Sequence, residues 1–242
     1  MNAETALQRE AEAFSARLAA TLNGVLGTVN AVRVTVVDGR VSVRPADPDG
    51  IPLLAEVDEE IFLRLKFRFS CSWDGHRKYL AVRDSEFHVL SEWDDDPLFR
   101  YEFVKEPQGD IPVAHLQVHA HRDAIAYAMG YPGSGSRRAR RRLKGTDKVP
   151  HLSSLHFPLG GARFRPALED VLQMLIEEFG VQASEGWRTV VEDGREEWRL
   201  LQLKSAVRDD LETAASVLRD NGYEVRPQEI VPAGRGHGLR RY

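Results

Sequence analysis

The 242-residue sequence holds one cysteine, Cys71. That excludes an intramolecular disulfide and any zinc cluster built on cysteines. No run of eighteen apolar residues occurs, so no segment has the hydropathy of a membrane span. The first residues include Glu4, Arg9, Glu10 and Glu12 with no apolar stretch behind them, which is not the pattern of a signal peptide. There is no internal repeat. What remains is an ordinary globular composition, 42% hydrophobic and 29% charged, on a chain long enough to bury a core without staples. The expected location is the cytoplasm of a bacterium-like cell.

Charge is unevenly spread. Residues 137–148, RRARRRLKGTDK, carry seven basic side chains against Asp147, a net of +6, within a chain whose formal net charge is -4. Residues 165–220 hold thirteen acidic and seven basic side chains. A small basic island on an acidic body suits a local anionic partner. It does not suit a whole surface given over to DNA.

The element pattern is a helix, then many strands, then helices. Ala3, Leu7, Ala11, Phe14, Leu18 and Leu22 recur at helical spacing over 3–23, and Gly24 and Gly27 end the run. VRVTVVDGRVSVRP reads as a hairpin closed by Asp38-Gly39. DPDGIP at 47–52 reads as a loop. Leu63, Leu65, Phe67, Phe69, Cys71 and Trp73 alternate with polar residues and mark a long strand with one buried face. A turn at Asp74-Gly75, strands over 77–83, 86–93 and 98–105, and a strand over 113–121 follow. Pro166 opens a helix whose stripe from Leu168 to Phe179 ends at Gly180. A further helix is expected from about 195 to 220, with Trp198, Leu201, Val207, Leu211, Ala214 and Leu218 inward, then a short strand at Tyr223–Arg226. Segregated strands and helices predict an α+β fold: an antiparallel sheet of about five to seven strands, flanked by an N-terminal helix and C-terminal helices. The expected organisation is 1–160 for the helix and sheet with a basic loop at 132–150, 161–232 for a helical region on the same core, and a loose tail at 233–242.

The segment PVAHLQVHAH draws the eye to chemistry. Strand alternation puts His115, Gln117, His119 and His121 on one face, with neighbours about 6.6–7 Å apart. Imidazoles titrate near neutrality, so such a pair can act as proton donor and acceptor across a substrate. Two histidines can also share a metal, but a catalytic zinc site usually has three protein ligands and the sequence identifies no third. His151 and His156 follow in HLSSLHFP, where alternation lets only one of them face the same side; His88 and Asp84 are more distant candidates. The plain alternative is a solvated sheet face that tolerates histidine.

Two basic features accompany the histidines. Arg137, Arg138, Arg140, Arg141 and Arg142 follow the breaker PGSGS in a loop of about 29 residues and can contact phosphate; long loops are often functional. Tyr127 and Tyr131 lie just upstream, where they can stack on a base. Arg64, Lys66 and Arg68 form a positive row on the polar side of the central strand. If that side is also the histidine side, cations and imidazoles converge on one anionic substrate, and the cations lower the imidazole pKa. The plain alternatives are a solvated linker or partner-docking tail for the loop and an ordinary solvated sheet face for the strand row. The turn EWDDDP can take a divalent ion or simply face water.

Arg100-Tyr101-Glu102 on one strand, His119 and His121 on the next, His156-Phe157-Pro158, and the helix ALEDVLQML together resemble the core of the TumE-like toxins of bacterial toxin–antitoxin pairs. The resemblance spans residues 98–180; the basic stretch 133–148 is outside its pattern and this chain is longer. It implies an RNase-type activity, a helix-turn-helix antitoxin as partner, and His119, His121 and His156 as the catalytic positions. The expected function is therefore metal-independent, cofactor-free phosphodiester cleavage. One histidine takes the 2′-hydroxyl proton, another protonates the leaving 5′-oxygen, and Arg64, Lys66, Arg68 or the 137–142 arginines hold phosphate. RNA and a protein such as an antitoxin are the expected partners, and no membrane. The alternatives are a non-enzymatic adaptor of a bacterial defence or mobile-element system, and a metal-dependent hydrolase built on His-x-His.

Overall fold

A computed structural model describes residues 3–74, 79–106, 113–118, 122–131 and 166–226. Helix α1 spans Ala3–Leu26. Seven strands follow: β1 Val32–Val37, β2 Arg40–Pro45, β3 Ile51–Leu54, β4 Ile61–Trp73, β5 Leu80–Ser91, β6 Pro97–Val104 and β7 Ala114–Val118. Helices α2 Arg122–Gly130, α3 Leu168–Phe179, α4 Trp187–Asp209 and α5 Leu211–Asp220 complete the described chain. The strands form one antiparallel sheet in the order β1-β2-β4-β5-β6-β7, with β3 also paired to β4. The fold is α+β. Among the described residues no helix is long and apolar enough to cross a membrane.

Local chemistry accounts for the elements. Asp38 and Gly39 both take positive φ, +49° and +73°, the condition for the tight turn that matches strand twist. β4 is long enough to pair with three strands. Ile51 sits opposite Leu65 and Val43 opposite Phe69, while all of β4 from Leu63 to Trp73 runs along β5. At the start of α3, Asp170 accepts a hydrogen bond from the Ala167 amide (3.1 Å), and Gly180 ends the helix at φ +70° with its own amide on the Ile176 carbonyl (3.1 Å).

Leu63, Leu65, Phe67, Phe69 and Cys71 of β4 face a core that also takes Leu7, Ala11, Phe14, Leu18 and Leu22 of α1 and Val171, Leu172, Leu175 and Phe179 of α3. Phe69 meets Phe14 edge-on at 5.1 Å, and Phe99 stacks on Phe179 at 6.0 Å. Helices therefore seal one side of the sheet.

Five expectations need correction. The segments 77–83 and 86–93 belong to one strand, because a bulge opposite Ser70 and Cys71 absorbs the polar interruption at Asp84. The loop 47–52 gives way to β3 at Ile51, directly after Gly50 at φ +92°. The long loop after the histidine strand contains α2, which buries Ile125, Ala128 and Met129. The helix of 195–220 begins at Trp187 and breaks at Asp210, which caps α5 through the Thr213 amide (2.9 Å). No strand forms at Tyr223–Arg226.

Contacts divide the chain into two compact units, Met1–Gly194 and Arg195–Tyr242, so the boundary falls within α4 and α3 groups with the sheet. In the described part of the second unit no residue is buried; Leu201 and Leu218, expected inward, are 43% and 42% exposed.

Candidate functional site

The sheet has a second side, and pairing register decides what shares it. Lys66 of β4 lies opposite His88 of β5, His88 opposite Arg100 of β6, and Arg100 opposite Gln117 of β7. One row along, Arg68 lies opposite Glu86, Glu86 opposite Glu102, and Glu102 opposite His115. Directly opposed residues in an antiparallel pair point the same way. Two imidazoles, three cations, two carboxylates and an amide thus occupy two adjacent rows on one face. The condition that the basic row of β4 and the histidine side of β7 coincide is met for His115 and Gln117.

The same parity extends across β1 and β2, where Arg33 pairs with Arg44 and Arg40 with Ser72. Together with Arg64, Lys66, Arg68 and Arg100 this side carries seven cations, against the carboxylates Asp84, Glu86 and Glu102. An acidic chain has placed a basic surface on one side of its sheet.

Ion pairs order most of these groups. Arg64 grips Glu92 through Nε (2.5 Å) and a terminal nitrogen (2.9 Å), and that hydrogen bond holds the Glu92 carboxyl below its usual range. Arg68 Nε lies 2.8 Å from Glu86 Oε1. Arg100 Nε donates to Gln117 (2.6 Å) and lies 3.0 Å from Glu102 Oε1. His115 Nε2 lies 3.0 Å from Glu102 Oε2, so one carboxylate joins an arginine to a histidine. Lys66 makes no hydrogen bond or ion pair with the described residues. Arg33, Arg40 and Arg44 likewise show none, but within β4 Lys66 is the uncommitted cation, flanked by two that are committed.

His88 sits in the middle. Its Nε2 lies 3.9 Å from Glu86 Oε2 and 4.0 Å from Glu102 Oε1, too far for a hydrogen bond to either, and that nitrogen is buried without a partner. Burial holds the imidazole below its ordinary pKa; Arg100 and Arg68 push the same way, and Glu86 and Glu102 oppose them. His88 is therefore a neutral imidazole at neutral pH.

Glu86, His88 and Glu102 bring one ligand atom each within 4.8 Å of the others, a spacing a metal ion can bridge. The donor set fits a metal poorly. Arg68 and Arg100 already hold these carboxylates, and a divalent ion there would have to displace or face two guanidiniums. Proton transfer and anion binding suit this composition better than metal chemistry.

Of the positions picked from sequence, Arg64, Lys66 and Arg68 fall on this face, the outer two each holding a carboxylate. His119, His121, His156 and the arginines Arg137, Arg138, Arg140, Arg141 and Arg142 lie outside the described residues. Sequence reasoning missed Glu86, Arg100 and Glu102 as partners and gave His88 little weight. The signal was present: positions 86 and 88, and 100 and 102, share parity within their strands. Within the motif Arg100-Tyr101-Glu102 the outer residues belong to the site face. Tyr101 is buried in the core, its phenol pushed up by burial and then by the charge of Asp170. No family model, curated protein or solved structure matches the chain.

Proposed function

We propose that the polar side of the sheet binds and cleaves a phosphodiester without a metal, with RNA as the substrate class. The observation that carries this reading is the two-row arrangement Lys66-His88-Arg100 and Arg68-Glu86-Glu102-His115. Cleavage by the 2′-hydroxyl needs a base for that hydroxyl, an acid for the leaving 5′-oxygen, and cations for the phosphate. His88, neutral and next to cations, has the character of the base. His115, donating from Nε2 to Glu102, carries its lone pair on Nδ1 when neutral, and that nitrogen is the one that shuttles a proton. Lys66 is the cation available to the phosphate; Arg68 and Arg100 reach it by exchanging a carboxylate for a phosphate oxygen. The resemblance to TumE-like toxins, carried in part by Arg100 and Glu102, points the same way, and an antitoxin-type partner belongs to the same proposal.

The test is cleavage of a fluorophore-labelled single-stranded RNA in the presence of a chelator, by the parent and by His88→Ala, His115→Ala and Glu102→Gln purified side by side. Loss of cleavage in the two histidine variants with unchanged melting supports the reading. Cleavage that survives both substitutions, or that vanishes in the parent when metal is chelated, sinks it.

A second reading, an adaptor that docks a protein, is favoured by one feature. The buried Nε2 of His88 and the arginine-bound carboxylates describe a closed ion-pair lattice, which is also what a flat docking face looks like.

A further inference from the structure

Apart from the basic face, the same unit carries a surface of opposite character. Trp93, in the turn between β5 and β6, is 58% exposed, and Tyr127 of α2 is 57% exposed. Their rings meet edge-on at 5.3 Å, and Tyr131 touches both, at 6.1 Å from Trp93 and 6.0 Å from Tyr127. Tyr131 also stacks on Phe62, at 5.3 Å and 11° between planes, and Phe62 is fully buried. The exposed rings are thus anchored to the core through a stack. Exposed tryptophan and tyrosine held rigidly side by side are costly to leave in water and are the residues that dominate binding surfaces.

The flanks of this cluster are acidic. Residues 56–60 contribute Glu56, Asp58, Glu59 and Glu60, and residues 92–96 contribute Glu92, Asp94, Asp95 and Asp96; neither stretch holds a lysine or arginine. The Tyr131 hydroxyl lies 3.1 Å from Asp58 Oδ2 and 3.3 Å from Glu60 Oε2, so two carboxylates converge on a single proton. Glu92 alone in these stretches is drawn off by an arginine, Arg64. Acceptors and π-faces outnumber donors on this surface, and neither acidic stretch supplies a cation.

We propose that Trp93, Tyr127 and Tyr131, flanked by Asp58, Glu60 and Asp94–Asp96, dock an arginine-rich peptide segment of a protein partner. The charge complement is a cation, and the aromatic faces select the same sign, because the face of an indole or phenol ring is its negative side. The rings touch one another, so they leave no slot to enclose a compact alkylammonium. A planar guanidinium instead lies flat on the outer faces while its fork bonds the carboxylates beside them. Carboxylates on both flanks suit several cations in sequence rather than one. The same carboxylates repel a phosphate backbone, which removes nucleic acid stacking as the use of Tyr127 and Tyr131.

The probe is a labelled, end-blocked hexa-arginine peptide, titrated by fluorescence anisotropy against the full chain. It is repeated in the variant whose Arg137, Arg138, Arg140, Arg141 and Arg142 are serine, so that the chain's own arginines do not compete. Trp93→Ala should weaken binding about tenfold or more, the scale of a desolvated cation–π contact plus lost area. Trp93→Phe should recover part of that loss, and hexa-lysine should bind more weakly than hexa-arginine. Joint replacement of Asp94, Asp95 and Asp96 by asparagine should weaken binding and flatten its dependence on salt. Since these residues are exposed, melting serves to confirm that each variant is folded. Equal affinity in the parent and in both the Trp93→Ala and triple-asparagine variants overturns the proposal. So does hexa-lysine matching hexa-arginine in a manner insensitive to Trp93, and so does a single-stranded RNA that binds in a Trp93-dependent way.

Discussion

Phe87 and His88 are neighbours in sequence and belong to different problems. Phe87 is 1% exposed and packs its ring at 5.6 Å from Phe69 and 6.5 Å from Phe67. His88, one step along β5, faces away from the helices into a lattice of charges. The middle stretches of β4, β5 and β6 repeat this division, and it teaches where stability and chemistry reside. The helix-covered side is apolar, close-packed and intolerant of lost volume. The other side is held by hydrogen bonds and ion pairs that are individually modest and exchangeable, which is what a binding surface requires.

The most severe way to probe this division is to cut a hole in the buried side. Phe87→Ala should lower unfolding free energy by about 3–5 kcal/mol, read by urea denaturation, while His88→Ala next to it should change it by less than about 1 kcal/mol. If the histidine variant melts as early as the phenylalanine one, the two sides are not separate systems.

On the polar side the expected effect is on rate. His115→Ala should reduce RNA cleavage by about a hundredfold to ten-thousandfold, the usual contribution of a positioned acid or base, with little change in melting. Glu102→Gln keeps the shape but removes the charge that links Arg100 and His115; its loss should be smaller and should show mainly as an altered pH profile. Equal loss from Leu116→Ala, on the opposite side of the same strand, would mean that the strand's placement and not its histidine is what matters.

Next in size is Lys66→Ala. The lysine is the unpaired cation of its row, so its removal should weaken binding to all RNA sequences alike and reduce the salt slope of binding by about one. Arg64→Ala should change the slope less, because Arg64 is already neutralised by Glu92.

The division between the sides was legible in the sequence; the site was only partly so. Alternation along β4 announced which residues would be buried, Asp38-Gly39 announced its hairpin, and Gly180 announced the end of α3. Those signals are local. The union of 77–83 with 86–93 was hidden because Asp84 and Ser85 look like a break until β4 pairs across them. Helix α2 was hidden because Ile125, Ala128 and Met129 make an apolar pattern of barely one turn before Gly130. The same holds for the site. Parity within a strand places His88 with Glu86, and His115 with Gln117, but only register across three strands puts Lys66, His88 and Arg100 in one row. Register is a property of pairs far apart in the chain, and no single strand carries it.

The smallest effect, and the sharpest test of the polar side, concerns the protonation of His88. Its folded pKa is lowered, first by burial, while in the unfolded chain it returns to about 6.5. Between those two values the unfolded chain binds more protons than the folded one, so stability must rise with pH through that window. The contribution is fully present above about 6.5 and is lost as pH falls towards the folded value. Measured as urea midpoints across the window, the parent should gain stability with rising pH, and His88→Gln should lose that slope while keeping its stability at neutral pH. Glu86→Gln removes a carboxylate that favours the charged imidazole, so it should lower the His88 pKa further and extend the slope to lower pH. Were the parent and His88→Gln to share one slope, the imidazole would have to be solvated in the folded chain, and the lattice around it would be open rather than closed.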